Sequence, residues 1–231
     1  MRRRLIAAAF AAAVLAAPAA GADLKGHALD TFWLAPDYAQ FHVASVALLP
    51  VATYDGSLEA RRLSENAVGQ ALRGSGHRWV SAAVSRDYLQ GAGGDSLVRL
   101  LNDQLTRTPR LDSLAAPGLS RLVHAQALLT VLVEQFEQRK LEFNEAGTPT
   151  TTVRLTAALV DSSGRLLWTV RGGDTLEGPY QDPNANPMGV SSSGLNNLPV
   201  TGQGGPPSYQ EVLAKVLARW APQFPHAPAA Q

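Results

Sequence analysis

Hydrophobic residues follow two different spacings along this chain, and each spacing predicts its own elements. Residues 43–50 are apolar almost without interruption and end at Pro50, a pattern typical of a strand buried on both faces of a sheet. Residues 150–160 alternate instead, which indicates a strand with two different faces. The apolar positions of this second strand are Val153, Leu155, Ala157 and Leu159.

Three strand patterns follow one another in the second half of the chain. An apolar, β-rich run covers residues 125–136, the alternating strand covers residues 150–160, and a third strand at 166–170 follows the turn sequence DSSG at 161–164. We therefore predict a three-stranded antiparallel meander. Together with the buried strand at 43–50 and a short strand at 78–80, it forms a small mixed sheet.

Helical spacing occurs between these strands and again near the end of the chain. Leu97, Leu101 and Leu105 recur four apart after the glycine-rich break at 91–94, which predicts a helix over 96–106. Ser208 and Glu211 have the spacing of a capping box, and an apolar face follows it. Shorter helices are predicted near residues 58–72, 81–89 and 117–123. The fold class predicted is α+β, an α/β sandwich-like arrangement in which helices pack on the mixed sheet.

Composition and turn residues divide the chain into six segments. Residues 1–22 have the layout of a cleaved signal peptide: three arginines, an uncharged run and the small residues Ala20, Gly21 and Ala22. An aromatic-containing extended arm is expected at 23–42 and one domain at 43–177. A Pro/Gly/Asn-rich loop then covers 178–207, a helix docked on the domain covers 208–224, and a flexible tail covers 225–231.

The leader predicts export to the periplasm. Its uncharged run is shorter than the roughly 20 residues that a spanning helix needs, so we expect no stable membrane insertion. The sequence contains no cysteine, which excludes a lipidated cysteine after the cleavage point as well as disulfides. Its 20 Lys and Arg nearly balance its 19 Asp and Glu, so charge gives no reason to expect binding to nucleic acid.

The order of elements and three short segments resemble a periplasmic family that includes CsgG, LpoB and the amino-terminal domain of TolB. The segments are SVALLP at 45–50, HAQALL at 124–129 and VDSSGRLLW at 160–168. The resemblance spans residues 43–175 and extends to the helix at 208–221. It implies a small mixed sheet packed by helices, and a role in assembling or regulating envelope machinery without chemistry. A lipid-bearing cysteine and an alternating apolar hairpin at 178–207 are both missing, so the resemblance predicts neither an outer-membrane anchor nor a pore.

Residue patterns for catalysis are weak. No two histidines have the spacing of one helix face, no serine stands in a Gly-x-Ser-x-Gly elbow, and the glycine-rich segments lack the Lys-Ser/Thr of a phosphate loop. We predict no catalytic residue, cofactor or metal ligand, and hence no enzyme. The alternative of a secreted hydrolase requires two groups of one set to converge in a pocket. That set is Glu134, Glu137, Asp161, Asp174 and His124.

The function predicted is that of a non-catalytic periplasmic accessory protein, which binds a protein partner in envelope assembly, secretion or transport. A self-assembling ring subunit is a further alternative, so a homo-oligomer is allowed. Two segments are candidate contact surfaces, because exposed aromatic and charged side chains often anchor a partner. In the arm the candidates are Phe32, Trp33 and Tyr38, and at the tip of the first hairpin they are Phe136, Arg139, Lys140 and Phe143.

Overall fold

A computed structural model describes residues 30–142, 145–181 and 205–228. Within these residues the chain forms seven strands and four α-helices. The strands are β1 (Thr31–Leu34), β2 (Ser45–Leu48), β3 (Ala52–Thr53), β4 (Arg78–Val80), β5 (Ala127–Arg139), β6 (Thr150–Asp161) and β7 (Leu166–Glu177). The helices are α1 (Leu58–Leu72), α2 (Ala82–Arg107), α3 (Ala116–Leu122) and α4 (Tyr209–Trp220).

All seven strands belong to one mixed sheet. The strand order is β1-β7-β6-β5-β2-β4, and β3 pairs with β5 beyond the end of β2. Strands β5, β6 and β7 are antiparallel neighbours, whereas β2 is parallel to both β4 and β5. The mixed sheet and its three-stranded meander confirm the fold class predicted from the sequence.

Helices cover both faces of the middle of the sheet. On one face, α1 and α4 pack on a core that includes Leu129, Leu155 and Trp168. On the other face, α2 and α3 pack on Leu49 and Leu128. Every residue of β2 is therefore buried, and this burial explains why residues 43–50 lack the alternation of a half-exposed strand.

Serine caps begin three of the helices, as local sequence chemistry dictates. Ser57, Ser81 and Ser208 each accept a hydrogen bond from a backbone N–H in the first turn. The predicted capping box at Ser208 is present with both of its hydrogen bonds. Helix α2 joins the two helices predicted at 81–89 and 96–106, and its backbone breaks at Gly94, where φ is 65° and ψ is −164°.

Two parts of the sheet differ from the sequence-based expectation. Thr31–Leu34, within the segment expected to be an extended arm, forms an edge strand that pairs with β7. Strand β7 extends to Glu177 rather than ending near Val170, because its later residues continue the antiparallel pairing with β6. The apolar signal stops earlier than the strand, since Arg171 and Thr175 lie on a face that helices do not cover.

Several predictions fall outside the described residues. They are the signal peptide at 1–22, the first part of the arm at 23–29, Phe143, most of the loop at 178–207 and the last three residues of the tail. The boundaries of the six segments stay predictions. None of the helices in the described ranges is both long and apolar enough to cross a membrane.

Candidate functional site

The most exposed apolar side chains of the sheet lie on its edge strand β1. This strand is the first in the strand order and pairs with β7, from Thr31 opposite Arg171 to Leu34 opposite Trp168. Phe32, Trp33 and Leu34 are 37%, 43% and 46% exposed. The outer side of β1 carries no further strand in the part of the chain that the structure describes, so its backbone is placed to pair with another extended segment.

The side chains of β1 point to two different sides of the sheet. Paired residues in antiparallel strands share a face, so Phe32 lies on the side of Val170, which belongs to the core under α1 and α4. Trp33 lies on the opposite side with Thr169. An extended partner bound at this edge would meet apolar side chains on both of its faces.

Hydrogen bonds and an ion pair fix the chain just after β1. The N–H of Ala35 donates to the carbonyl oxygen of Leu167 at 2.8 Å. Arg165 then pairs with Asp37 at 2.5 Å and stacks over the ring of Phe41, with 4.6 Å from the guanidinium carbon to the ring centroid. The edge strand is therefore attached to the β6–β7 turn.

A charge network around two buried carboxylates, those of Asp30 and Asp174, fixes the start of β1 to α4. Arg219 donates to Asp30 at 2.6 Å and to Asp174 at 2.8 Å, and the side chain of Asp174 is 0% exposed. The hydrogen bond with Asp30 is the main cause that raises the pKa of Arg219 above its ordinary value. Lys215 lies 3.5 Å from Asp174 and adds a second cation.

Gly172 gives the Asp30 carboxylate room against β7. A Cβ at position 172 would lie 1.8 Å from Oδ1 of Asp30, well inside van der Waals contact. The glycine is therefore a requirement of the close approach between the N-terminal end of β1 and the sheet. It is part of the support for the edge, although it does not contact a partner.

Tyr38, predicted as a contact residue, lies apart from the exposed edge. Its ring packs against the core under α1 and α4, and its hydroxyl is 3.1 Å from Nε2 of His77. Burial raises the pKa of Tyr38 to about 12. Nδ1 of His77 is 2.9 Å from the hydroxyl of Ser75, so the three side chains form one internal hydrogen-bonded group.

The predicted hairpin tip separates into an internal aromatic and exposed charges. Phe136 is half-buried and stacks on Tyr209, with ring centroids 3.8 Å apart. Arg139, whose side chain is 65% exposed, pairs with Glu145 at 2.5 Å, and Lys140 is exposed. The hydrogen bond from Arg139 is the main cause that lowers the pKa of Glu145. The tip lies on β5, three positions from β1 in the strand order, so the two predicted surfaces do not form one site.

Two features of the surface were not predicted from the sequence. Leu34 is as exposed as Trp33 but stands in a segment without periodic burial. Glu134, beside a bulge in β5, accepts hydrogen bonds from Thr156 at 2.6 Å and from Arg171 at 2.9 Å. Thr156 and Arg171 are paired on the face of the sheet where Glu134 lies. The alternation of polar residues in β6 and β7 could have predicted that this face is polar.

The groups considered for a hydrolase each have different local contacts. Asp174 is bound by Arg219, and Glu134 by Arg171. Glu137 accepts a hydrogen bond from the side chain of Gln135 at 3.0 Å. Asp161 accepts backbone N–H groups within its own turn, and His124 meets the edge of Tyr88 with ring centroids 5.5 Å apart. No group of three side chains suited to a metal ion occurs within residues 30–142, 145–181 and 205–228.

The chain is similar to several solved structures but matches no known sequence family. No protein-family model and no curated protein matches the chain. The PelC dodecamer from Paraburkholderia phytofirmans is similar with a TM-score of 0.40 and 18% identity, covering 86% of this chain and 99% of that one. Lipoprotein GNA1162 from Neisseria meningitidis has a TM-score of 0.46 and 17% identity, covering 78% and 96%.

One similar structure belongs to LpoB, a member of the family that the sequence resembles. The LpoB C-terminal domain from Salmonella enterica is 23% identical, with a TM-score of 0.32, and covers 57% of this chain and 82% of that one. The resemblance to CsgG and to the amino-terminal domain of TolB stays a prediction. With identities below 25% and TM-scores below 0.5, these structures do not assign a function to this chain.

Proposed function

We propose that this chain is a non-catalytic periplasmic accessory protein that binds a protein partner in envelope assembly, secretion or transport. The observation that carries the proposal is the edge strand β1, where Phe32, Trp33 and Leu34 are exposed and the outer backbone pairs with no strand among the described residues. Edge strands bind extended segments of other proteins by adding a strand to the sheet.

β1 is short, with four residues, but it lacks the side chains that commonly protect an edge strand from pairing. Such features include a lysine, a proline or an inward-pointing charge within the strand. Residues 31–34 are Thr, Phe, Trp and Leu, and the neighbouring Asp30 is occupied by Arg219. At the other end of the sheet, β4 has three residues and begins with the exposed Arg78. Of the two edges, β1 is therefore better suited to bind a partner.

The exposed part of Trp33 provides a useful amount of binding energy. An aromatic side chain buries about 150–250 Å² in full, so the exposed share of Trp33 corresponds to about 60–110 Å². At about 25 cal/mol per Å², its burial by a partner contributes about 2 kcal/mol, or about 30-fold in affinity. Backbone hydrogen bonds along the strand add orientation to this apolar contact.

Site-specific photo-crosslinking in living cells tests the proposal. A benzoylphenylalanine residue is placed at position 33, and a matched one at position 84, where Val84 is also 43% exposed and follows β4 at the other edge of the sheet. We expect one discrete protein adduct from position 33 and none from position 84. Leu34→Lys should abolish the adduct, whereas Val84→Lys should leave it unchanged.

Two results would contradict the proposal. One is a lack of any position-33 adduct, and the other is equal adduct yield at both positions. If the adduct contains a second copy of this chain, the edge joins subunits, and the alternative of a self-assembling subunit replaces the accessory role. Mass spectrometry of the excised adduct distinguishes a foreign partner from a second copy.

A further inference from the structure

A basic groove opens at the amino ends of three neighbouring strands. Strands β4, β2 and β5 are parallel, so they all begin at the same edge of the sheet, close to the end of α3. The groove has a volume of about 720 Å³. Arg78, Arg121 and His124 line it, and no Asp or Glu does.

The two arginines of this groove keep most of their donors available. Nη2 of Arg78 donates to the carbonyl oxygen of His124 at 3.5 Å, and Nε of Arg121 donates to that of Pro117 at 3.1 Å. Within the described ranges, neither arginine forms an ion pair with a carboxylate. A guanidinium has five N–H donors, so each retains several that can reach a ligand in the groove.

The wall of the groove is fixed by backbone geometry and hydrogen bonds. His124 has a φ of 53°, in the left-handed region that few residues other than glycine adopt. The ring of Tyr88 packs against it edge-on. The N–H of Ala44 donates to Oε1 of Gln126 at 2.6 Å, and the N–H of Gln126 donates to the hydroxyl of Ser45 at 3.1 Å. Unusual backbone conformations held by such contacts concentrate at functional sites.

We propose that this groove binds a phosphate group, with Arg78 and Arg121 as its principal ligands and His124 as a third contact. Guanidinium groups match phosphate oxygens with paired hydrogen bonds, and a phosphate presents oxygens to several donors at once. Arg121 also lies in the last turn of α3, where a positive charge is favourable. That structural role requires neither Arg78 nor His124.

The phosphate could belong to a small soluble molecule or to a phospholipid headgroup, since both offer the same oxygens. The site is independent of the β1 edge, because its residues lie around the amino ends of β2 and β4, at the opposite side of the sheet. Leu34→Lys should therefore change partner binding and leave phosphate binding intact. This difference separates a failure of one proposal from a failure of the other.

Calorimetric titration of the full chain with inorganic phosphate at low ionic strength tests the site. We expect one phosphate per chain, and we expect Arg78→Gln and Arg121→Gln each to weaken binding about tenfold or more, because each removes charge-assisted hydrogen bonds. The matched control is Arg62→Gln, on the exposed surface of α1. This control should keep the affinity of the wild type.

A second measurement keeps the test independent of variant folding. In the wild-type chain, the Cε1–H proton signal of His124 should shift on addition of phosphate with the same midpoint as the calorimetric titration. Co-sedimentation with phosphatidylglycerol vesicles, competed by inorganic phosphate, would identify a lipid headgroup as the source. Phosphate binding without vesicle binding would identify a soluble phosphate compound. The proposal is overturned if the wild type binds no phosphate, or if Arg62→Gln weakens binding as much as Arg78→Gln.

Discussion

Replacement of Arg219 by leucine should remove the cation that joins two buried carboxylates. Asp174 has a side chain that is 0% exposed, and that of Asp30 is 7% exposed, so water can replace little of the lost interaction. Breaking a buried pair by removing one partner costs about 3–5 kcal/mol. The side chain of Arg219 is itself 36% exposed and Lys215 still lies near Asp174, so we expect the lower end, about 3 kcal/mol.

Urea denaturation at pH 7, followed by far-ultraviolet circular dichroism, measures this loss. With a slope of about 2 kcal/mol per molar urea, a change of about 3 kcal/mol moves the midpoint down by about 1.5 M. The control is Lys215→Met, because the side chain of Lys215 is 45% exposed and its pair with Asp174 spans 3.5 Å. It should change the free energy of unfolding by less than about 1 kcal/mol.

Hydrogen exchange measures whether the same substitution loosens the edge strand β1. Arg219→Leu should accelerate exchange of the β1 amides more than that of the β5 and β6 amides, since Asp30 loses its bond to α4. The reasoning is refuted if Arg219→Leu and Lys215→Met shift the urea midpoint equally. A loss below about 1 kcal/mol for Arg219→Leu would refute it as well.

Three further predictions address local contacts. Gly172→Ala should lower the free energy of unfolding by about 1–3 kcal/mol because its Cβ overlaps the Asp30 carboxylate, whereas Gly91→Ala, with open space around it, should not; thermal unfolding compares the two. Burial lowers the pKa of His77 below its ordinary 6.5, so the stability that its neutral form contributes is present above pH 6.5 and is lost as the pH falls from there through the lowered pKa of the folded state. Urea midpoints at pH 7.5 and 5 should therefore differ less in His77→Gln than in the wild type. Ser208→Ala removes one half of the capping box and should cost about 1 kcal/mol in urea denaturation.

Elements can be predicted from the sequence where their burial is periodic or where their ends carry local capping signals. The alternation of Val153 and Leu155 predicts β6 because one face packs against α1 and α4. The capping residues Ser208 and Glu211 predict the start of α4 because both hydrogen bonds are made within four residues. In these cases the physical cause and the sequence signal lie in the same short segment.

The candidate site depends on contacts that local patterns do not contain. β1 has four exposed residues and gives no periodic signal, and its anchor joins Asp30 to Arg219 across 189 positions. Tyr38 and Phe136 also depend on distant contacts. Both are aromatic residues in irregular or charged surroundings, and both are partly buried beside His77 and Tyr209, which come from distant elements. An aromatic residue in sequence therefore does not reveal whether it serves a partner or the core.

The bond between Asp30 and Arg219 also sets an order of events during folding. Because Asp30 and Arg219 are 189 positions apart, the anchor of β1 cannot form until α4 is present and folded against the sheet. A nascent or C-terminally truncated chain would lack this attachment and hold its first strand loosely. The bond therefore couples the docking of α4 to the presentation of a well-anchored edge strand.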